Sequence, residues 1–166
     1  MGYVGSYIWQ IRQKVGSQRL ITATVGVLPV DESSRIKMVF VNHFGLWMHI
    51  GGHVELGDSW ETAVIHELKE EAGILTNKEN LELFATISGP GRIYHYQDGT
   101  TQSFTNVYLV KKWQEEIRPT DDEEISKTKW MSLAEIKKLK THNLTRLIIE
   151  AYEKYLETGK VQTVED

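Results

Sequence analysis

Residues 52–74 read GHVELGDSWETAVIHELKEEAGI, and the apolar residues in this stretch recur with the period of an α-helix. Asp58 is expected to be the N-cap, with Glu61 at the third helical position, as in a capping box. Gly73 stands where a left-handed glycine commonly ends a helix. The apolar residues share one stripe, which consists of Trp60, Ala63, Val64 and Leu68. The stretch therefore predicts a helix over residues 58–72 that packs on a core through one face.

Three glutamates, Glu67, Glu70 and Glu71, lie near the end of this predicted helix. Like charges three or four residues apart cost about 0.2–0.5 kcal/mol per pair, and carboxylates at a helix C-terminus oppose the helix dipole. Glu67 and Glu71 also project toward the apolar stripe, where bulk water solvates them poorly. A divalent cation removes these costs, and oxygen ligands indicate Mg²⁺, with Mn²⁺ as an alternative. Gly51 and Gly52, just upstream, let the backbone approach such a ligand and offer carbonyl oxygens to it.

The rest of the sequence alternates predicted strands and helices. Strands are expected at residues 20–30, 36–42, 81–88, 92–96 and 103–113 and around Trp130. Helices are expected at residues 3–15, 132–140 and 143–156, with Ser132 and Asn143 as N-caps. The turn at residues 31–35 predicts a hairpin between the first two strands, and the tail after Gly159 is expected to be frayed. These elements favour an α/β protein, an α/β/α sandwich with a mixed, mainly antiparallel sheet.

The composition limits the classes of function. The chain has 166 residues, no cysteine and a formal net charge of −4. The length fits one domain over residues 1–166 with its core at about 18–156. The absence of cysteine excludes thiol chemistry, and the acidic balance argues against binding of duplex nucleic acid. Because no apolar run approaches the ~20 residues that cross a bilayer and no signal peptide is recognised, a cytoplasmic location without membrane contact is expected.

The stretch at residues 52–74 resembles the Nudix box of the Nudix hydrolase family, G-x5-E-x7-R-E-U-x-E-E-x-G-U, where U is aliphatic. The matching positions are Gly52, Glu67, Leu68, Glu70, Glu71, Gly73 and Ile74. Gly51 and Glu55 also agree with the wider GG-x-x-E form that is common in the family. Two positions depart from the box, because Asp58 replaces its glutamate and His66 replaces its arginine.

The resemblance implies a MutT-like Nudix hydrolase, with a loop–helix–loop catalytic motif in a sandwich fold. It implies Mg²⁺ held by Gly52, Glu67, Glu70 and Glu71, and water activated for attack on phosphorus. The implied reaction is hydrolysis of the pyrophosphate bond in a nucleoside diphosphate linked to another moiety. Glu71 and Glu124 are alternative general bases, because the family places that carboxylate either in the box helix or on a later loop.

Residues beside the box are expected to support it. In the family, the arginine that His66 replaces resembles a clamp on a catalytic glutamate. A histidine is shorter and only partly charged at neutral pH, although it can reach Glu70 one turn away. Asp58 and Glu55 are also expected to support the site from behind its ligands, with Asp58 mainly structural.

Substrate contacts are less specific in the sequence. Phe44, Trp47 and Tyr94 are expected to stack on a base, and Arg92 is expected to contact phosphate. Pro90 lies 16 residues after the box and resembles a proline associated with ADP-ribose pyrophosphatases, while a Gly-Pro turn is the other explanation. Zinc spacing is absent from the histidines of this region, which are interpreted as structural or rim residues: His43, His49 and His53.

Two alternatives to the leading hypothesis stay open at the sequence level. The first is a non-catalytic nucleotide-binding sensor on the same fold, for which His66 is the motivating feature. The second is a nucleoside triphosphate pyrophosphohydrolase. In each case the expected partner is a small-molecule nucleotide, and the protein is either a monomer or a homodimer.

Overall fold

The computed structural model describes residues 4–116 and 125–166. Its larger sheet has the order β1-β7-β5-β10, with β6 paired to β7. These strands are β1 (Leu20–Pro29), β5 (Leu81–Ser88), β6 (Ile93–Tyr96), β7 (Gly99–Val110) and β10 (Gln162–Glu165). The ladders β1–β7 and β5–β10 are parallel, whereas β5–β7 and β6–β7 are antiparallel, so the sheet is mixed.

Two smaller sheets and four helices complete the described fold. One sheet has the order β3-β2-β9 and the other pairs β4 with β8, both antiparallel. These strands are β2 (Ile36–Val41), β3 (Leu46–Met48), β4 (Ile74–Leu75), β8 (Glu115–Glu116) and β9 (Ile125–Met131). The helices are α1 (Tyr7–Val15), α2 (Trp60–Ala72), α3 (Leu133–Ile136) and α4 (Asn143–Thr158), with a 3-10 turn at Lys78–Asn80.

The larger sheet lies between two hydrophobic clusters. Leu28 of β1 packs in the cluster that contains Ile148 of α4. Its neighbour Val27 points to the other face and joins the cluster that contains Leu68 of α2. Because successive side chains of a strand face opposite ways, one strand serves both clusters. This arrangement confirms the predicted α/β/α sandwich with a mixed sheet.

The N-cap of the box helix α2 lies one residue later than predicted. Ser59, not Asp58, is the N-cap, and its hydroxyl accepts a hydrogen bond from the Thr62 backbone N–H. Adjacent aspartate and serine are both good N-caps, so sequence alone could not choose between them. Gly73 adopts the left-handed conformation, φ 67°, and ends the helix as predicted.

The predicted hairpin between the first two strands is wrong. The Asp31–Arg35 turn is present, but β1 and β2 belong to different sheets and meet through a single isolated bridge, Val30 to Ile36. Instead, all of β1 pairs in parallel with β7. The second half of β1 is buried continuously, which is typical of a strand covered on both faces rather than of a hairpin arm.

Other boundaries also differ. Helix α1 begins after its N-cap Ser6 rather than at residue 3, and the N-cap of α4 is His142 rather than Asn143. The predicted helix at 132–140 contains only the four residues of α3, although its N-cap Ser132 and capping box are confirmed. The tail is not frayed, because β10 pairs with the edge of β5. Within the described residues, no helix is long and apolar enough to cross a membrane.

Candidate active site

Two of the box glutamates meet the glycine loop that precedes α2. The backbone N–H of Gly51 donates a hydrogen bond to Glu71 Oε2 at 3.0 Å. The carboxylate of Glu67 lies against Gly52, where an added Cβ would come within 2.1 Å of Glu67 Oε1. The Gly52 carbonyl accepts the N–H of Val25 on β1 at 2.9 Å, which fixes the loop to the larger sheet. Helix α2, the loop and β1 therefore hold these two carboxylates together.

The donors at this point fit a hard divalent cation. Glu67 and Glu71 are half-buried, and the Gly52 carbonyl keeps a second lone pair beside the one used by Val25. The Glu67 carboxylate takes the space at Gly52 that a Cβ would fill, so the loop backbone and this carboxylate are as close as a glycine allows. Glu70 is exposed on the flank of the helix. Among the residues that the structure describes, no three acidic or histidine side chains lie close enough to enclose a metal by themselves.

The alternative general base lies outside the described residues. Glu124 belongs to the segment 117–124, of which the structure gives no description. Glu71, in contrast, lines the cavity beside the loop. Of the two carboxylates proposed from the sequence, Glu71 is therefore the one whose surroundings are known.

A cavity of about 1130 Å³ opens next to the two glycines. Its lining consists of Thr24, Val25, Val41, His43, Phe44, Met48, His49, Gly51, Gly52, His53, Glu71, Ile93, Tyr94, His95, Tyr96, Gln97, Ser103 and His142. Glu71 is the carboxylate in this set, and neither lysine nor arginine occurs among these lining residues. The cavity thus joins the box to a surface of aromatic and imidazole rings.

Two of the four predicted substrate-binding residues line the cavity and the other two do not. Tyr94 and Phe44 line the cavity, and both approach the ring of His142, with centroid distances of 5.5 Å. Trp47 instead packs edge-on against Phe40, next to the hydrophobic core. Arg92 is 1% exposed and does not line the cavity. This geometry does not support Trp47 and Arg92 as direct contacts, because Trp47 packs beside the core and Arg92 is buried in contacts with Tyr94 and Asp166.

Sequence reasoning missed the histidine content of the cavity. Five of the six histidines line it, and His142 comes from α4, far along the chain from the others. The imidazole of His49 is buried and its Nδ1 lies 2.8 Å from the Thr145 hydroxyl. Burial lowers the pKa of His53 to about 4, so this ring is neutral at pH 7. The unusual share of histidine near residues 43–53 was the available signal, but only the fold adds His95 and His142.

His49 should make folding stability depend on pH. Burial, with smaller effects of the charges of His142 and Arg92, lowers its pKa from 6.5 to about 3. Below pH 6.5 unfolded chains take up a proton on His49 and folded chains do not. The contribution of His49 to the free energy of unfolding is therefore fully present above pH 6.5 and is lost as the pH falls toward 3. The slope for one such group is ~1.4 kcal/mol per pH unit. Urea unfolding between pH 7.5 and 4.5 should give a shallower slope for His49→Leu; equal slopes would contradict the assignment.

The two departures from the box contact each other. His66 Nδ1 lies 3.3 Å from Asp58 Oδ2, although the sequence suggested Glu70 as the partner of His66. This contact ties the residue before the N-cap to the middle of α2. Glu55 supports a different element, because its carboxylate accepts the N–H of Tyr7 at the start of α1. Asp58 and His66 are each shorter than the glutamate and arginine of the box, and they lie within contact distance of each other.

A double-mutant cycle should detect this contact. His66 is 54% exposed, so the coupling between Asp58→Ala and His66→Ala is expected to be modest, about 0.5 kcal/mol in kcat/KM. Each single variant should lower kcat/KM about twofold, because the loop before α2 loses one attachment to the helix. The double variant should be no worse than the poorer single one. Additive losses would show that the two side chains act independently.

Comparisons with known proteins identify the family of the chain. A family model described as the NUDIX domain matches residues 20–152. Nucleoside triphosphatase NudI from Enterobacter sp. (strain 638) is 31% identical over 108 residues, which are 62% of this chain and 73% of that relative.

Solved structures give the same fold at low identity. The MutT protein from Bacillus halodurans has a TM-score of 0.65 and 19% identity, covering 87% of this chain and 89% of the other. The NUDIX domain of Shewanella oneidensis NrtR, complexed with ADP ribose, has a TM-score of 0.58 and 19% identity, covering 84% and 90%. These structures support the fold alone, whereas the family model spans most of the chain. The chain belongs to the NUDIX family, and it is a Nudix pyrophosphohydrolase.

Proposed function

We propose that the protein hydrolyses the pyrophosphate bond of a nucleoside diphosphate linked to another moiety, such as an ADP-ribose-like compound, in a Mg²⁺-dependent reaction. The observation that carries the proposal is that Glu71 and the ring surface line the same cavity. A nucleotide has the same division, with a charged pyrophosphate next to flat, largely neutral rings. Aromatic and imidazole faces bind such rings by stacking.

The metal would be held at the loop and the box helix. Glu67, Glu71 and the Gly52 carbonyl are the donors gathered there, and Glu70 is the additional carboxylate on the flank. When bound, Mg²⁺ supplies charge neutralisation at the pyrophosphate and lowers the pKa of water. Mn²⁺ has similar ligand preferences and is the expected substitute.

Side chains of the protein orient the substrate and accept the proton that the attacking water loses. The Gly51 N–H donates a hydrogen bond to Glu71 Oε2, and this bond also sets the orientation of the other oxygen of that carboxylate. We assign to Glu71 the proton that the attacking water loses, because it is the carboxylate that lines the cavity. Tyr94, Phe44 and His142 hold the ring end of the substrate, so that the pyrophosphate stays beside the glycines.

The absence of cationic side chains in the described lining favours a diphosphate derivative over a triphosphate. A third phosphate adds negative charge, which proteins usually balance with lysine or arginine. A nucleoside triphosphate is nevertheless the second candidate, because the NudI relative is named a nucleoside triphosphatase.

A product analysis tests the proposal. The protein is incubated with Mg²⁺ and either ADP-ribose, other nucleoside diphosphate derivatives or nucleoside triphosphates, and the products are separated by chromatography. We expect AMP from ADP-ribose at a higher kcat/KM than any nucleoside monophosphate released from triphosphates. Preferential cleavage of triphosphates would favour the second candidate. If nothing is cleaved while Glu71→Gln keeps ligand-induced thermal stabilisation, a binding role would replace the enzymatic one.

A further inference from the structure

The cavity wall formed by Tyr94 and His142 is supported from behind by Arg92. The Tyr94 and His142 rings are stacked, with an interplanar angle of 19°. The guanidinium of Arg92 lies 4.9 Å from the Tyr94 ring centroid and donates a hydrogen bond to the Tyr94 hydroxyl. Arg92 therefore contacts both the ring and the hydroxyl of Tyr94 without lining the cavity.

Arg92 is in turn paired with Asp166. Its side chain is 1% exposed, and Nη1 lies 3.4 Å from Asp166 Oδ2. A buried guanidinium without a counter-charge is costly, so the carboxylate fixes where this charge rests. The same Oδ2 accepts a hydrogen bond from the Asn143 side chain at 3.3 Å. The Asp166 carboxylate therefore contacts Arg92, which holds Tyr94, and also contacts Asn143, which directly follows His142 in the chain.

The backbone around Asp166 holds that carboxylate in place. The backbone N–H of Asp166 donates to the Ser88 carbonyl at 2.9 Å, and the backbone oxygen of Asp166 accepts the N–H of Gly91 at 2.8 Å. An added Cβ at Gly89 would come within 2.3 Å of that backbone oxygen. The turn Gly89-Pro90-Gly91 thus closes around Asp166, which gives Pro90 a structural setting outside the cavity.

We propose that Asp166 is a positioning residue for the substrate: through Arg92 and Asn143 it sets the stacked pair Tyr94–His142 that receives the ring end of the nucleotide. Without the carboxylate, Arg92 loses its counter-charge and its hydrogen bond to Tyr94 is no longer fixed. The two rings then sample other rotamers, and the entropy lost when the substrate orders them weakens binding. The effect on turnover rests on the proposed function, whereas the effect on the ring pair does not.

The test compares Asp166→Asn with Glu165→Gln, an identical change of charge at the exposed neighbour on β10. We expect Asp166→Asn to raise KM about fivefold, equivalent to ~1 kcal/mol of aromatic stacking, with kcat changed less than twofold. Glu165→Gln should leave both constants unchanged. Asp166→Glu keeps the charge and should bring KM back to within about twofold of wild type.

A second readout does not require turnover. The stacked Tyr94 ring shifts the imidazole resonances of His142, so Asp166→Asn should move them in NMR spectra while Glu165→Gln does not. If Asp166→Asn fails to fold, Tyr94→Phe tests the same link, since it keeps the ring but removes the hydrogen bond to Arg92. The proposal is overturned by unchanged His142 resonances in the folded variant, or by equal KM effects of Asp166→Asn and Glu165→Gln. Moved resonances in a protein that cleaves no nucleotide would contradict the proposed function alone.

Discussion

Glu71→Gln should reduce kcat by about a thousandfold, within the range that removal of a general base gives. Its carboxylate lines the cavity and is held by the Gly51 N–H, so the glutamine can keep the size and the hydrogen bond while losing the charge. KM should stay within about threefold, because the rings that bind the substrate are unchanged. Steady-state kinetics with ADP-ribose at saturating Mg²⁺ measures both constants. Glu79→Gln is the matched control, since Glu79 is exposed and follows α2 outside the cavity.

The same variant distinguishes two roles of Glu71. If Glu71 accepts the proton, activity of Glu71→Gln should recover as the pH rises and hydroxide replaces the missing base. If it mainly holds the metal, higher Mn²⁺ should restore activity instead. A loss of less than about threefold in kcat would remove Glu71 from the chemistry. In that case Glu124→Gln should show the large loss, because Glu124 is the other carboxylate that the family resemblance proposes.

The box was predictable because its signals are local. A helix with three crowded carboxylates, an upstream glycine pair and Gly73 at its end is encoded within 24 consecutive residues, 51–74. Helical periodicity and the C-cap depend on neighbours in the chain, so they predicted α2 to within two residues. The choice between Asp58 and Ser59 as N-cap failed, because two adjacent residues with similar capping ability differ only in the path of the chain before them.

The pairing of strands and the cavity were not predictable in the same way. The hydroxyls of Thr24 and Thr105 are 2.7 Å apart although they are separated by 81 positions in the sequence. A turn after residue 30 favoured a local hairpin, but the parallel ladder with β7 buried more of β1. His142 joins Tyr94 for the same reason: α4 is placed by its apolar face, and the cavity follows from that packing.

Asp166 shows how a tail can be misjudged from sequence. The segment after Gly159 is short, polar and alternating, and such tails are usually frayed. Here the edge of β5 accepts the strand, and Val164 packs against the core. An open strand edge offers unpaired backbone groups, so a short alternating segment can be ordered by it without strong apolar content.

Gly52→Ala should lower kcat by about a hundredfold while leaving the fold intact, as expected for a small misplacement of a reacting group. The new Cβ would lie 2.1 Å from Glu67 Oε1, so the carboxylate must move. Because the clashing atoms are the far end of a flexible side chain, the backbone can keep its position. The melting temperature should change by no more than ~3 °C, which corresponds to ~1 kcal/mol for a domain of this size. Mn²⁺ titration should show weaker binding, since Glu67 no longer meets the loop.

The neighbouring glycine is the control that separates the site from the fold. At Gly51 a Cβ would lie 2.2 Å from the Val25 carbonyl oxygen, and the backbone φ of +154° is unfavourable for other residues. Gly51→Ala should therefore cost ~2–3 kcal/mol and lower the melting temperature by roughly 5–10 °C, because β1 itself must shift. If Gly52→Ala destabilised the protein as much as Gly51→Ala, its loss of activity would report loop distortion. A stable Gly52→Ala protein with weak Mn²⁺ binding would instead show that the absence of a Cβ at residue 52 is what allows the placement of Glu67.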